Sequence, residues 1–272
     1  MKKQFLLFII FSSLANFLFS QGWQPMGSRS MSLANATVAI EDVWAFHHNP
    51  AALASLKKIG AGVSYENRFL LKELQSQGFV VAVPLKKGVI SFGGQTFGYN
   101  QFRTYRTGLG YSMALAEFIS VGVQLNYNAV RINPSYGNHQ TVTAEVGILA
   151  KVSNNWSLAF STFNITRNKL SDFAEDRYST VLRFGTRYSI SDKVFFLAEV
   201  EKNVDYNLRF KTGFEYVPIS NFFVRGGFAT APIEYTFGLG YAFSGVYKLD
   251  LGSAYHQFLG WSPHFSFTYQ LK

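Results

Sequence analysis

Residues 118–128, FISVGVQLNYN, alternate without a break: Ile119, Val121, Val123, Leu125 and Tyr127 share one face, and Ser120, Gly122, Gln124, Asn126 and Asn128 the other. The same period of two sets Leu182, Phe184, Thr186, Tyr188 and Ile190 against Arg183, Gly185, Arg187 and Ser189. It also sets Leu208, Phe210, Thr212, Phe214 and Tyr216 against Arg209, Lys211, Gly213 and Glu215. A period of two marks a strand with unlike faces. Each run is about ten residues long, the length a tilted strand needs to cross a bilayer.

Short turn signals cut the chain at 86–87, 115–117, 153–154, 191–192, 218–221 and 244–245. Between them lie other breaks at 68–77, 99–103, 132–139, 168–177, 204–206, 231–233 and 258–262, most of them longer and more polar. The two sets alternate strictly, as tight periplasmic turns and longer external loops do in outer-membrane barrels. The chain therefore reads as an all-β, transmembrane antiparallel β-barrel of about 14 strands, an even number that brings both termini to one side. The stretch 68–77 is read as an external loop, with a strand start as the alternative.

Before the strands the pattern changes. Residues 1–20 carry Lys2 and Lys3 ahead of an apolar stretch and read as a secretory signal cleaved near Ser20/Gln21. Residues 21–58 read as a separate segment of small helices, and 59–272 as the barrel. Asn49 suits an N-cap and Pro50 the first helical position, so Asn49-Pro50-Ala51 opens one short helix. Asp42 caps another, running to His48. A 14-strand barrel is wider inside than its own side chains fill, so the expected place for 21–58 is the lumen, as a hatch.

Composition fits this plan. Of 272 residues, 48% are hydrophobic and 17% aromatic but only 15% charged, against about 25% charged in soluble domains. No cysteine is present, which excludes a disulfide scaffold and a lipid-anchored cysteine. Past the signal there is no run of the roughly 18 apolar residues that a spanning helix requires. The net charge of +9 comes from scattered rather than clustered Lys and Arg. It points to anionic lipid headgroups, not to nucleic acid.

The charges within strands fall on the polar face. Arg183, Arg187, Glu199, Glu201, Arg209, Lys211, Glu215, Arg225, Lys248 and Asp250 are all expected to face the lumen. They either pair across strands and against the hatch or line a selective polar pore. A turn about residue 205 sets Glu201 opposite Arg209 and Glu199 opposite Lys211. Other chemistry is thin. His47-His48 has no ligand set at metal spacing, and the combination of His256, Asp250 and Asp205 offers no nucleophile held by a base. No enzyme activity, cofactor or metal is expected. Gly93-Gly94 offers either a strand kink or a close approach to the hatch.

The stretches GSRSMSLANATVAI (27–40) and EDVWAFHHNPAALA (41–54) resemble the N-terminal hatch of FadL-type outer-membrane proteins. The matching positions are Gly27, Arg29, Ala36, Glu41-Asp42 and Asn49-Pro50-Ala51, with Leu53-Ala54 following; Ala52 and His48 depart from the common pattern. The final HFSFTYQLK is similar to the strand signal read by the barrel-assembly machinery, except that it ends on Leu271-Lys272. The resemblance implies a hatch-bearing 14-strand barrel. It leaves two functions. One is a PorV/PorQ-like scaffold or shuttle that binds secretion-system proteins, including those of type IX secretion. The alternative is a FadL-like transporter of hydrophobic ligands. Short loops favour the scaffold.

The expected outcome of fractionation is recovery in the outer membrane with heat-modifiable gel mobility; recovery from the soluble periplasm would refute a lipid-embedded barrel.

Overall fold

The computed structural model describes residues 25–132, 138–168 and 178–271. The expected signal segment and its cleavage point lie outside the described residues, as do most of the breaks at 132–139 and 168–177. Fourteen antiparallel strands close on themselves. They are β1 Gly60–Asn67, β2 Gln75–Leu85, β3 Gly88–Tyr99, β4 Phe102–Ala116 and β5 Ile119–Ile132. Next come β6 Asn138–Ser153, β7 Trp156–Phe163, β8 Val181–Ser191, β9 Val194–Asn203 and β10 Arg209–Ile219. The last four are β11 Phe222–Ala229, β12 Glu234–Phe243, β13 Tyr247–His256 and β14 Gly260–Gln270. Every strand pairs with its neighbours in sequence, and β1 pairs with β14. No backbone edge is left open, which is the condition for a sheet in hydrocarbon.

Alternation has its expected physical result. Leu109, Val123, Leu125, Phe184, Phe214 and Leu251 are exposed on the outer face, while Gln124, Asn126, Arg183, Lys211 and Glu215 are buried within. Tight turns connect the strands at the end where β1 begins and β14 ends, here the turn end; the connections at the opposite, loop end are mostly longer, residues 100–101 between β3 and β4 being the short exception. The stretch 68–77 divides. Residues Arg68–Leu70 and Lys72–Leu74 are single 3₁₀ turns, but Gln75–Gln77 already belong to β2. The expected loop is therefore three residues shorter, because Gln75, Ser76 and Gln77 pair with Asn67, Glu66 and Tyr65 of β1.

Residues 26–53 lie inside the wall and are almost all buried. One helix spans Ser28–Met31 (α1), a lead-in the sequence did not mark as helical. Two 3₁₀ helices, Val43–His47 and Pro50–Ser55, follow. Asp42 accepts from Trp44 N at 2.9 Å and Asn49 from Ala51 N at 3.0 Å, so both caps satisfy helix-start N–H groups that would otherwise be orphaned in a dry interior. Met26, Val38, Val43, Trp44, Phe46 and Leu53 form the main apolar core with Val80, Val89 and Leu149 of the wall.

Two glycines show how closely segment and wall approach. Gly27 has φ +92°, and a Cβ there would meet the Trp44 ring. A Cβ on Gly122 would strike the backbone of Pro50 and Ala51. The pairing through Gly93-Gly94 is continuous with β2 and β4. There is no break in the ladder at that point, and Gly93 instead faces the Phe46 ring.

A Gly122→Leu variant should still fold as a heat-modifiable barrel, because the ladder is untouched, but should displace the Pro50–Ser55 helix. Limited proteolysis should then cleave within residues 49–58; equal resistance of variant and wild type would contradict the close approach.

Candidate functional site

The lumenal segment is held by charge. The Arg29 guanidinium engages Glu215 at both oxygens, Nε–Oε2 at 2.9 Å and Nη2–Oε1 at 2.6 Å, and turns Nη1 to Asp42 at 3.0 Å. Glu215 also accepts from Arg225 Nε at 2.6 Å, and Arg225 Nη1 reaches Asp250 Oδ1 at 2.7 Å. Lys248 stands 3.9 Å from Asp250 and over the Phe223 ring. A single row of opposite charges thus runs from α1 to β10, β11 and β13.

A second cluster sits on β8, β9 and β10. Arg183 meets Glu199 in a two-point contact of 2.7 and 2.9 Å, then donates to His48 O at 2.9 Å and Asn35 O at 3.0 Å. Glu199 Oε2 accepts from Val38 N at 2.9 Å. Lys211 bridges Glu199 at 3.1 Å and Glu201 at 2.5 Å. Removing one member of such a buried set strands another charge, at a cost of about 3–5 kcal/mol.

The register sets Arg209 opposite Glu201 and Lys211 opposite Glu199, as the turn about residue 205 requires. The side chains choose partners differently. Arg209 swings toward the loop-end rim and binds Glu234 at 2.6 Å, leaving Glu201 to Lys211 and, at 3.7 Å, to Arg183. Arg187 joins neither cluster and lies 4.7 Å from the Phe195 ring centroid. Of the positions singled out in the segment, Arg29, Asp42 and Asn49 make polar contacts through their side chains, Gly27 N donates to Ser64 Oγ at 3.2 Å and Pro50 O accepts from Ser112 Oγ at 2.5 Å; the side chains of Ala36, Pro50 and Ala51 are buried packing. Asn49 Nδ2 donates to Val38 O at 2.8 Å and to Ile148 O of β6 at 3.3 Å.

His47 and His48 are packed, not assembled into a ligand set; among the described residues no metal-ligating group of three forms. His48 Nε2 lies 2.8 Å from Ser30 Oγ and 2.9 Å from Met26 O, and His47 Nε2 3.2 Å from Phe79 O. Burial first, then the nearby Arg106 charge, depresses the His47 pKa to about 3; burial and Arg183 lower that of His48. Asp250 is taken up by Arg225, and His256 lies six positions further along β13, about 20 Å away.

Two features escaped the sequence reading. Arg106 and Glu145 form a buried pair at 2.6 Å, with Asn126 beside them at 3.5 Å. Both stand on polar faces of alternating strands, which was the available signal. Nearer the loop end, Phe102, Val130, Ile132, Phe163, Tyr178 and Val181 cluster inside the barrel, with Arg106 4.7 Å from the Phe163 ring centroid. At the turn end a cavity of about 310 Å³ lies between segment and wall, lined by Arg29, Asp42, Trp44, Leu56, Lys248 and Tyr269 among others.

No family model and no curated protein matches the sequence. Solved structures do match the fold. The CymD monoaromatic hydrocarbon channel has a TM-score of 0.68 at 10% identity over 92% of this chain and 99% of its own. The toluene transporter TbuX of Ralstonia pickettii gives 0.68 at 10% identity, covering 94% of this chain and all of its own. A FadL homologue of Pseudomonas aeruginosa gives 0.60 at 10% over 91% and 98%. The chain shares the fold of FadL-type barrels.

Glu215→Gln should leave Arg29 and Arg225 without their shared carboxylate and weaken seating of the segment by about 3–5 kcal/mol. Hydrogen exchange should rise at residues 26–34 and stay flat in β2–β6; a uniform rise would mean that the charge row stabilises the wall itself.

Proposed function

We propose that the protein is an outer-membrane, FadL-like transporter of hydrophobic small molecules with no catalytic step, and that residues 21–58 act as its hatch. On this reading the turn end is periplasmic and the loop end external. The observation that carries it is the inward-facing apolar cluster of Phe102, Val130, Ile132, Phe163, Tyr178 and Val181. Barrel interiors are ordinarily polar, so six apolar side chains turned inward at the external end favour an apolar ligand over water. Below the cluster the hatch closes the path, and the 310 Å³ cavity beside Trp44 and Leu56 lies where a ligand would leave. The hydrocarbon channels and toluene transporters that share the fold support the same substrate class.

A hydrophobic molecule would enter the external cluster, shedding its hydration at about 25 cal/mol per Å² of apolar surface. Passage then requires the hatch to yield. Arg29 and Asp42 belong to the hatch while Glu215, Arg225 and Asp250 belong to the wall, so withdrawal exchanges protein ion pairs for hydration. One observation favours a second reading, the PorV/PorQ-like protein-binding scaffold. The strand ladder runs unbroken through Gly93-Gly94, so the wall has no side exit there, and a permanently seated hatch would suit a passive scaffold.

Proteoliposomes separate the two. Wild type should speed toluene entry over protein-free vesicles while showing almost no ion conductance, and a barrel lacking residues 21–58 should conduct strongly. Toluene entry at the protein-free rate, with a stoichiometric protein partner co-purifying from outer membranes, would replace transport by the scaffold.

A further inference from the structure

The outer face of β4 and β5 breaks its apolar pattern at one level. From the turn end, β4 presents Leu115, Tyr111, Leu109 and Tyr105 outward, and β5 presents Val123, Leu125 and Tyr127. The stretch from Tyr105 to Leu115 is as long as a tilted strand needs to cross hydrocarbon, about 9–11 residues. The next outward positions are Arg103 and Arg131, and the register sets them directly opposite each other. They stand two residues past Tyr105 and Ala129, roughly 7 Å further along the strands.

Directly opposed like charges destabilise an antiparallel pair, and relief normally comes from a neighbouring carboxylate. None is available. The four strands β3–β6 contain one acidic residue, Glu145, and it faces the lumen, where Arg106 holds it. The connections at 100–101 and 133–137 contain no acid either. Outward neighbours on either side are Gly98, opposite Arg103, and Asn138, opposite Arg131. Among the described residues neither arginine has an ion pair, and the Arg103 Nε is buried without an acceptor.

From this we infer that Arg103 and Arg131 together bind the phosphate of an outer-leaflet lipid headgroup. Two guanidinium groups at this spacing offer several N–H donors in planar forks, the geometry suited to phosphate oxygens. The ligand supplies the missing negative charge, and the tyrosines beneath supply a surface for its acyl region. The inference rests on the outer-membrane reading but not on what the lumen carries.

Native mass spectrometry of detergent-purified protein, titrated with bis-phosphorylated lipid A, tests it. Wild type should bind the phosphorylated lipid about thirty-fold more tightly than its dephosphorylated form, taking the attraction of two arginines near an anionic surface. The double variant Arg103→Ala/Arg131→Ala should lose that preference, and Arg103→Lys/Arg131→Lys should recover part of it. Heat-modifiable mobility should be the same for all three, since these side chains leave the lumen and the ladder alone. Equal binding of both lipids by wild type, or a preference surviving in the double alanine variant, would overturn the site. Competition by inorganic phosphate at the same concentration as the lipid would overturn the headgroup and make the site one for free phosphate. Toluene entry and membrane fractionation are read separately, so loss of the transport reading leaves this result standing, whereas a soluble protein would remove its premise.

Discussion

A barrel of fourteen strands encloses more space than its inward side chains can fill, and each buried polar group on that inner wall requires a partner. This constraint organises the molecule. The wall turns Arg183, Lys211, Arg225, Glu199, Glu215 and Asp250 inward, all buried. Lys211, Arg225 and Asp250 find their partners on the wall, but others do not stop there: Arg183 reaches into the segment for the carbonyls of His48 and Asn35, and Glu215 accepts from Arg29. The segment in turn depends on the wall, since Val38 N and Ala34 N are satisfied by Glu199 and Thr236. Each surface is the other's solvent.

Such mutual satisfaction is selective in what it resists. The barrel keeps its ladder whether or not the segment is seated, because its backbone bonds run strand to strand. The segment has no comparable framework: its helices are only four to six residues long, too short to persist alone in water. Its order is therefore borrowed from the lumen. The two histidines add a direction to this dependence. Seated, both are held neutral below their ordinary range. A released segment would bind protons as pH falls below about 6.5 while the seated one would not, so acidification shifts the balance toward release.

The wall was legible in the sequence to a degree the site was not. Alternation at 118–128 and 180–190 fixes which face meets lipid, since a slip of one residue would invert every side chain. The turn about residue 205 likewise gave the pairing of Glu199 with Lys211. Register does not decide the reach of a long side chain, however. Arg209 is opposite Glu201 but bonds Glu234 two strands beyond β10, a partner nearly diagonal to it. The inward apolar cluster was hidden for a different reason. Phe102, Val130 and Phe163 fall on the polar face near strand ends, where an apolar residue in an alternating run looks like an irregularity of the strand boundary. The Arg106–Glu145 pair was open to view, as Glu145 is the sole acid in a long stretch, but isolation in sequence gives no hint of a partner on another strand. The helical lead-in Ser28–Met31 carries no cap of its own, so nothing local announced it.

One further consequence lies in the link between segment and wall. Between the Pro50–Ser55 helix and the start of β1 at Gly60 the chain has only residues 56–59, a leash of at most about 17 Å when drawn straight. The seated segment is anchored at the end where its own strand begins, so it can swing out of the turn end but cannot be carried through the loop end or lost. On the transport reading, unseating would be a reversible, intramolecular event. A tethered segment would return at an effective concentration in the millimolar range, whatever the abundance of the protein, so that each opening would carry its own means of resetting.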